Sequence, residues 1–284
     1  MTTWSNYHCH TSYSDGKGMP IDYVLQAIEL GMKSIGISEH APVPFYSFWN
    51  MPANKVNAYI ENVVALKHQY ANEIEIYCGL EIDYIANEFD LIKNTAQVNK
   101  LDYTIGSIHF LGKKANGEYW NTDGAEEEFE VGAREVFNNH GQKMVEAYFN
   151  ALNELIRDLK PTIIGHIDKF KMYNNNNRFF NESSDYYKNS FIQTLELAKQ
   201  TDCIIEFNTR GFYKHPNKMP YPSLWALKKI KELGLRITIN SDSHQAIEIT
   251  REFDLAAELL AEAGIHTQWQ LQKSIWTEAY IPEK

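Results

Sequence analysis

Short runs of apolar and β-branched residues alternate along the chain with longer stretches in which apolar residues recur every three or four positions. The first pattern is typical of buried strands and the second of amphipathic helices. The pattern predicts seven strands, at 5–10, 34–40, 74–83, 103–109, 162–168, 203–208 and 236–242. It also predicts seven helices, at 21–30, 53–70, 87–98, 141–159, 186–200, 223–233 and 247–263.

Proline and glycine mark the ends of the predicted helices. Pro20 and Pro222 lie near helix starts, where the missing N–H of proline costs nothing, and Gly31 and Gly234 follow helix ends. A regular alternation of strand and helix implies a parallel sheet with right-handed crossovers. Seven near-equal units favour a closed barrel over an open sheet. The expected fold is therefore α/β, a TIM-like barrel that forms a single domain over residues 1–284.

Two predicted connections are unusually long, 110–140 and 169–185. Loops of this length in a compact domain are usually lids or binding loops, or are disordered. The first contains the acidic run EEEFE, which we interpret as a solvated face. The second contains NNNN, which we interpret as a polar loop without chemistry.

Composition and charge narrow the class of protein. Hydrophobic residues make up 44% of the chain, as in globular proteins, and no apolar segment is long enough to span a membrane. A formal charge of −10 without a Lys/Arg run argues against a nucleic-acid surface. Cys9, Cys78 and Cys203 form no C-x-x-C pair, and the first residues do not resemble a secretory signal. A cytoplasmic protein with reduced cysteines is expected.

Residue types that bind metal ions cluster at the predicted strand ends. Active sites of β/α barrels lie at the carboxyl ends of the strands, and most of the ten histidines lie there. The candidate metal ligands are His8, His10, Asp15, His40, Glu81, His109, His166, Asp242 and His244. The other histidines, in predicted helices or loops, are His68, His140, His215 and His266.

Two of the candidate pairs share a spacing of two residues. Alternate residues of a strand face the same side, so His8 and His10 would project together, as would Asp242 and His244. One tetrahedral zinc takes about four ligands. The larger set therefore suggests two or three divalent ions, with Glu81 bridging a pair. Histidine and carboxylate ligands without thiolate suit zinc, manganese or iron alike.

Acidic residues beside the candidate ligands have a different expected role. Asp83 and Asp168 lie close to candidate ligands in the sequence, where carboxylates commonly accept hydrogen bonds from ligating histidines. Glu39 alternates away from His40 and is therefore excluded from direct metal binding. The chain contains no G-x-S-x-G, G-x-G-x-x-G or G-x-x-x-x-G-K-[ST] motif, so neither a serine hydrolase nor a nucleotide-binding loop is indicated.

The motif H-x-H-T-x-x-S-D-G, from His8 to Gly16, is followed in order by SEH, GLEID, SIHF, GHID and SDSH. This series resembles the PHP superfamily of metal-dependent phosphoesterases, and its order and length most resemble the stand-alone histidinol-phosphate phosphatases. The resemblance spans nearly the whole chain, from His8 to His244. It implies a (β/α)7 distorted TIM-like barrel, the PHP fold, with a centre of three metal ions.

The resemblance also implies how the ligands are divided among the ions and what reaction follows. The three sets would be His8, His10, Glu81 and Asp242; Glu81, His109 and His166; and Asp15, His40 and His244. The implied reaction is hydrolysis of L-histidinol phosphate, a step of histidine biosynthesis, by attack of a hydroxide that bridges two metal ions. Glu81 would bridge the ions, and His40, Asp15 or a metal-bound water would protonate the leaving group.

Positive charge for a phosphate must come from a few local residues. Arg210, directly after the sixth predicted strand, could fork onto two phosphate oxygens. An acidic group, such as Asp168 or Glu206, would be needed to attract the ammonium of histidinol phosphate. Further candidates for substrate binding are Arg178 and His215, followed by Lys169.

Three other functions stay open at this point. A PHP-type nuclease or 3′-phosphoesterase would share the ligand set, but the acidic charge and the lack of a polymerase region count against it. A barrel amidohydrolase also begins with H-x-H, but Glu81, His40 and the terminal D-x-H pair fit three ions better than its usual two. A metal-binding regulatory protein would hold ions without turnover, although no ligand is missing.

Overall fold

Strands and helices alternate through residues 3–215 and 218–282, the part of the chain that this computed structural model describes. The strands are β1 (Ser5–Asn6), β2 (Ser34–His40), β3 (Glu75–Asp83), β4 (Tyr103–Ser107), β5 (Phe110–Lys113), β6 (Tyr119–Asn121), β7 (Ile163–Ile164), β8 (Ile204–Asn208), β9 (Arg236–Asn240), β10 (Thr267–Gln272) and β11 (Ile275–Tyr280). The α-helices are α1 (Pro20–Glu29), α2 (Val56–Gln69), α3 (Phe89–Ala96), α4 (Glu126–Phe137), α5 (Gly141–Leu159), α6 (Asp185–Gln200), α7 (Arg210–Lys214), α8 (Leu224–Leu233) and α9 (Phe253–Glu262).

Seven of these strands form one parallel sheet in the order β1-β2-β3-β4-β7-β8-β9. The first and last strands approach each other. A parallel bridge joins Cys9 to Ser243, and the amide of Tyr7 donates to Oδ1 of Asn240 at 2.8 Å. The sheet is thus a nearly closed barrel, which confirms the expected fold class. No helix in the described residues combines the length and apolar character needed to cross a bilayer.

Large side chains fill the lower part of the barrel interior. Tyr7 and Tyr103 belong to a small buried cluster there, and their rings lie 5.9 Å apart at 75°. Two glycines make room for the Tyr103 ring. A Cβ atom on Gly36 would lie 2.3 Å from its Oη, and one on Gly79 would lie 2.3 Å from its Cζ. A second, larger cluster of apolar residues lies between the barrel and the helices.

The hairpin β10–β11 covers the amino end of the barrel. The amide of Leu271 donates to the Tyr7 hydroxyl at 2.7 Å, and the Trp276 ring lies 5.0 Å from the Tyr7 ring. Leu271 is buried in the same cluster as Tyr7. The barrel interior is therefore filled and covered at its amino end.

The structure corrects several predicted boundaries. The strands predicted at 5–10 and 162–168 are much shorter, β1 and β7, although Cys9 still forms an isolated bridge with Ser243, just beyond the last strand of the sheet. Tyr7 packs in the lower cluster while His8 reaches Glu81, so strict alternation is lost between these two neighbours. The predicted connection 110–140 instead contains the β5–β6 hairpin and α4, and the acidic run forms the first turns of that helix.

We expect Gly79→Ala to lower the free energy of unfolding by about 1–3 kcal/mol, because a methyl group there would overlap the Tyr103 ring and overpacking costs this much. Chemical denaturation measures the change. The control is the same substitution in a Tyr103→Leu background, where the ring is absent and the cost should shrink. An equal cost in both backgrounds would show that the ring contact is not responsible.

Candidate metal centre and active site

The carboxyl ends of the barrel strands bring together all nine candidate ligands. In β2 and β3 the register places His40 opposite Glu81. The remaining ligands lie at the ends of other strands or directly after them: His8, His10 and Asp15 after β1, His109 after β4, His166 after β7, and Asp242 and His244 after β9. Because parallel strands end at one edge, residues far apart in sequence meet at a single mouth of the barrel.

The ligand atoms form four overlapping groups, and within each group they lie within 4.8 Å of one another. The groups are His10, Asp15, His40 and His244; His8, His10 and Asp242; His8, Glu81 and His166; and His40, Glu81 and His109. The first contains the whole set expected for a third ion. His109 and His166, which were expected to share an ion, fall in different groups, but the Nε2 atoms of both face the same oxygen of Glu81, Oε1.

Glu81 lies at the centre of the cluster and is 1% exposed. Its Oε2 is 2.8 Å from Nδ1 of His40 and 3.3 Å from Nε2 of His8. Its Oε1 is 2.9 Å from Nε2 of His166 and 3.6 Å from Nε2 of His109. The two oxygens therefore face different histidines, which suits a carboxylate shared between two cations.

Several buried atoms of the cluster have no hydrogen-bonding partner among the described residues. They include Nε2 of His8, both ring nitrogens of His10, Nε2 of His109 and Oε2 of Glu81. An unpaired buried polar atom costs about 1–3 kcal/mol, and here many share one small volume. Imidazole nitrogen and carboxylate oxygen are ligands for zinc, manganese and iron. Divalent cations therefore fit this cluster.

Two carboxylates beneath the cluster orient histidine rings. Nδ1 of His8 donates to Glu206 at 2.6 Å, and Nδ1 of His109 donates to Asp83 at 3.0 Å. With the proton on Nδ1, the Nε2 lone pair of each ring is left for a cation. The hydrogen bond expected for Asp83 is thus present, while Glu206 takes a role that the sequence did not indicate.

Glu206 is fully buried, and both of its oxygens are occupied. Oε2 accepts hydrogen bonds from the amide of His166 at 2.6 Å and from the Asn208 side chain at 3.0 Å. Oε1 accepts a further one from Asn240 at 3.0 Å. The suggested contact of Glu206 with a substrate ammonium is therefore wrong, because its carboxylate already anchors the inner side of the site.

Glu39 holds the loop that carries Asp15. Its carboxylate accepts hydrogen bonds from the amides of Thr11 at 3.0 Å and Ser14 at 3.2 Å, and it also contacts both hydroxyl groups. Burial raises the pKa of Glu39, although the bonds from Ser14 and Thr11 oppose the shift. Glu39 thus faces the loop, which agrees with its exclusion from direct metal binding.

Burial and neighbouring charges shift the pKa values within the cluster. Burial opposes ionisation of Glu81, but the adjacent imidazoles, His8 first, outweigh it and hold the pKa of Glu81 well below its usual range. Burial also disfavours protonation of His109, but Asp83 and Glu81 outweigh it and raise the pKa of His109 to about 9. For His10, burial and the other histidines act together and lower the pKa. The central carboxylate stays ionised, as cation binding requires.

A cavity of about 180 Å³ opens onto the cluster. Four candidate ligands line it, namely Asp15, His40, Asp242 and His244. The other lining residues are Phe48, Trp49, Asn121, Asp123, Gly124, Lys169 and Arg210. The cavity therefore combines the metal ligands with aromatic and cationic side chains.

Two positively charged side chains face this cavity. Nη1 of Arg210 donates to the carbonyl oxygen of Asp242 at 2.7 Å, which fixes the guanidinium beside the ligand cluster. Nζ of Lys169 is 2.6 Å from Asp123 and 3.8 Å from the Asp242 carboxylate. An anionic group that entered the cavity would meet both side chains. The structure thus places Arg210 where the sequence suggested, and brings Lys169 equally close.

Two suggested substrate contacts are wrong. Arg178 pairs at 2.5 Å with Glu126 and with Glu130 on α4 and lines a separate surface pocket, so it does not face the metal ligands. Asp168 is 1% exposed and pairs with Lys171 at 2.6 Å. This buried ion pair leaves Asp168 unavailable to a substrate ammonium, and its partner is a lysine instead of a ligating histidine.

His215 lies outside the lining of the cavity. Its Nε2 is buried and has no hydrogen-bonding partner among the described residues, and its ring is 6.1 Å from that of Tyr221. Burial, together with the nearby charge of Lys169, lowers the pKa of His215 to about 4. The side chain is therefore neutral at neutral pH, and its contact with a substrate stays a prediction.

The sequence did not indicate two residues of the cavity wall. The Trp49 ring packs edge-on against His40 at 4.5 Å and His109 at 5.2 Å. Asp123 follows the β5–β6 hairpin and pairs with Lys169. Both residues lie in segments interpreted as connections. The only signal was the length of the connection 110–140, which pointed to a binding loop.

Comparisons with curated proteins identify relatives along nearly the whole chain. One is a probable histidinol-phosphatase of Deinococcus radiodurans, with 24% identity over 94% of this chain and 96% of the relative. Another is a histidinol-phosphatase of Bacillus subtilis, with 27% identity over 83% of this chain and 91% of the relative.

A solved structure shares the fold, and a family model matches most of the chain. The fold is similar to that of histidinol phosphate phosphatase from Lactococcus lactis complexed with zinc, L-histidinol and phosphate. The TM-score is 0.74 at 20% identity, covering 97% of this chain and 99% of that one. The model of the PHP domain matches residues 6–210, well over half of the sequence. The chain therefore belongs to the PHP domain family.

Proposed function

We propose that the protein is a metal-dependent phosphomonoesterase that hydrolyses L-histidinol phosphate to L-histidinol and phosphate. The observation that carries this proposal is the cluster of ligands around Glu81, which opens onto a cavity that also contains Arg210 and Lys169. The names of the relatives support the substrate, as do the L-histidinol and phosphate bound in the Lactococcus structure.

We expect two or three divalent ions at the barrel mouth. Glu81 would be shared between ions, as the separation of its two oxygens among different histidines supports. Bound ions would lower the pKa of a coordinated water and offset the charge of a phosphate ester. The Lactococcus relative contains zinc. The full set of residues that would hold the ions is His8, His10, Asp15, His40, Glu81, His109, His166, Asp242 and His244.

Other side chains of the cavity would bind the phosphate and supply a proton to the leaving group. Arg210 and Lys169 would bind the non-bridging oxygens of the phosphate. The ester P–O bond breaks as a water oxygen joins phosphorus, and the leaving alkoxide takes a proton. Asp15 and His40 both line the cavity, which supports the proposal that one of them passes that proton and that both belong with Glu81 to the catalytic group.

A nuclease or 3′-phosphoesterase is less well supported. A cavity of about 180 Å³ beside the ligands and a formal charge of −10 suit a small monoester better than a polynucleotide. Faster turnover of a single-stranded oligonucleotide than of small monoesters would contradict the proposal. A regulatory protein that binds metal without turnover would release no phosphate from any ester.

Removal of metal should abolish phosphate release from L-histidinol phosphate, and zinc, manganese or iron should restore it. Because ions that bind only the folded protein stabilise it, the chelated protein should also have a lower Tm. Elemental analysis, phosphate assays and thermal unfolding measure the three effects. Metal-free protein that neither gains activity nor rises in Tm on addition of ions would contradict the proposal.

We expect Arg210→Ala to lower kcat/KM for phosphate monoesters by roughly 10- to 100-fold, since hydrogen bonds to charged groups contribute about 1.5–3 kcal/mol. Metal content should stay unchanged, because the Arg210 side chain contacts only the backbone carbonyl of Asp242 among the ligands. Arg210→Lys should recover part of the loss. An unchanged kcat/KM in Arg210→Ala would exclude the phosphate-binding role.

We expect Glu206→Gln to weaken metal binding by roughly 10- to 100-fold, because it removes the charge that fixes the His8 ring. Calorimetric titration of the metal-free protein measures the affinity. Glu75→Gln serves as the control, since Glu75 bonds to the Tyr77 hydroxyl and the Lys273 amide at the amino end of the barrel. Equal affinities in Glu206→Gln and Glu75→Gln would show that Glu206 does not position a ligand.

A further inference from the structure

A second, larger cavity adjoins the one over the metal ligands. It has a volume of about 640 Å³ and shares Phe48, Trp49 and Asn121 with the smaller cavity. Its walls come from the segment that follows β2, the β5–β6 hairpin, the first turn of α4 and Glu88 in the β3–α3 connection. A phosphate at the metal ligands would therefore leave room for the rest of a substrate to extend into this second space.

Aromatic rings line the junction of the two cavities. Phe48 is 80% exposed, an unusual position for a large apolar side chain. Trp49 is held firmly, since its ring stacks on Phe110 at 5.2 Å and 12° and packs edge-on against His40. Phe45 continues this surface beyond the junction. Such faces favour a planar, ring-bearing group over an open polar chain.

The carboxylates near the junction differ in their pairing. Asp15 lies 3.2 Å from Nε2 of His244, and Asp123 lies 2.6 Å from Lys169. The carboxylate of Glu128 forms neither an ion pair nor a hydrogen bond with any residue in the described part of the chain. The carboxylate of Glu88, which lines only the larger cavity, is likewise unpaired among the described residues, so Glu128 is distinguished by its position at the junction.

Glu128 is placed at the boundary between the two cavities. It lines the larger one, and a Cβ atom on Gly124 would lie 2.3 Å from its Oε2. Gly124 itself lines the smaller cavity. The lack of a side chain at position 124 lets the carboxylate reach the point where a leaving group would pass from one cavity into the other.

We propose that Glu128 and Phe48 form a leaving-group site, with Glu128 pairing with an ammonium and Phe48 contacting an adjacent planar ring. The inference rests on the proposed function and adds to it the residues that recognise the alcohol part of the substrate. An unpaired carboxylate attracts a cation and disfavours anionic or neutral groups of similar shape. Glu128 and Phe48 therefore select the alcohol, while the metal ligands and Arg210 serve the phosphate.

The test compares two esters that differ only in the amine. L-Histidinol phosphate carries the ammonium, and 3-(imidazol-4-yl)propyl phosphate lacks it. The ratio of kcat/KM values should favour the first ester in the wild type and should fall about 10-fold or more in Glu128→Gln. In Phe48→Ala, kcat/KM should fall for both ring-bearing esters relative to glycerol phosphate.

Two variants provide matched controls. Glu118→Gln removes a carboxylate from the same larger cavity, but Glu118 is already paired with Lys114 at 3.1 Å, so the ratio should stay within about twofold. Tyr46→Ala removes an exposed aromatic ring that lines only the larger cavity, and it should not reproduce the effect of Phe48→Ala. Unchanged melting temperatures would show that the variants are folded.

Two outcomes would overturn the inference. The ratio could stay unchanged in Glu128→Gln, whether or not both esters lose activity, or Glu88→Gln could remove the preference in place of Glu128→Gln. In both cases the wild type still releases phosphate, so the proposed function survives. If the wild type releases phosphate from no monoester, the proposed function fails and this inference fails with it.

Discussion

The rest of the fold has to stabilise one buried carboxylate that is surrounded by imidazole rings. The oxygens of Glu81 lie within 4 Å of ring nitrogens of five histidines, and Glu81 is almost completely hidden from water. Charge that is removed from water is costly unless it is paired. The barrel meets this cost by presenting the five rings from the ends of four strands and by tying two of the rings to further carboxylates underneath.

The two ends of the barrel have opposite characters as a result. Tyr7 and Tyr103 fill the lower interior, and the β10–β11 hairpin covers it. Glu206 lies between this apolar floor and the polar mouth, where it bonds to His8 and to the His166 amide. The packed lower half thereby fixes the inner faces of the metal ligands, and all approach to them is from one side.

Much of the fold and most of the ligand set follow from local patterns in the sequence. The apolar period of 141–159 gives the bounds of α5, and Pro20 is the first residue of α1. The ligands could be predicted because parallel strands end at a common edge, so a residue's place in its strand also gives its place in space. His8 and His10 converge as their spacing predicted, even though regular pairing stops before them.

The errors concern features that depend on distant partners. Arg178 was suggested as a phosphate ligand because of its position after His166, but it pairs with Glu126 and Glu130 on a helix that the pattern did not predict. Glu206 was identified as an acidic residue near the site. Its hydrogen bond to His8 crosses the barrel, however, and the sequence around neither residue predicts it. The sequence gives the sign of each side chain's charge, whereas the partner that neutralises the charge depends on which helices and strands pack together.

The residues around the two cavities come from separable parts of the chain. The cation ligands lie at the ends of the barrel strands, whereas the aromatic and acidic wall is carried by the β2–α2 connection, the β5–β6 hairpin and the start of α4. Substitutions in these connecting segments, or their exchange for other loops, would change which alcohol is accepted without disturbing the hydrolytic centre. The same hydrolytic reaction could therefore act on many different esters, because the residues that recognise the alcohol and the residues that cleave the phosphate ester lie on different segments of the chain.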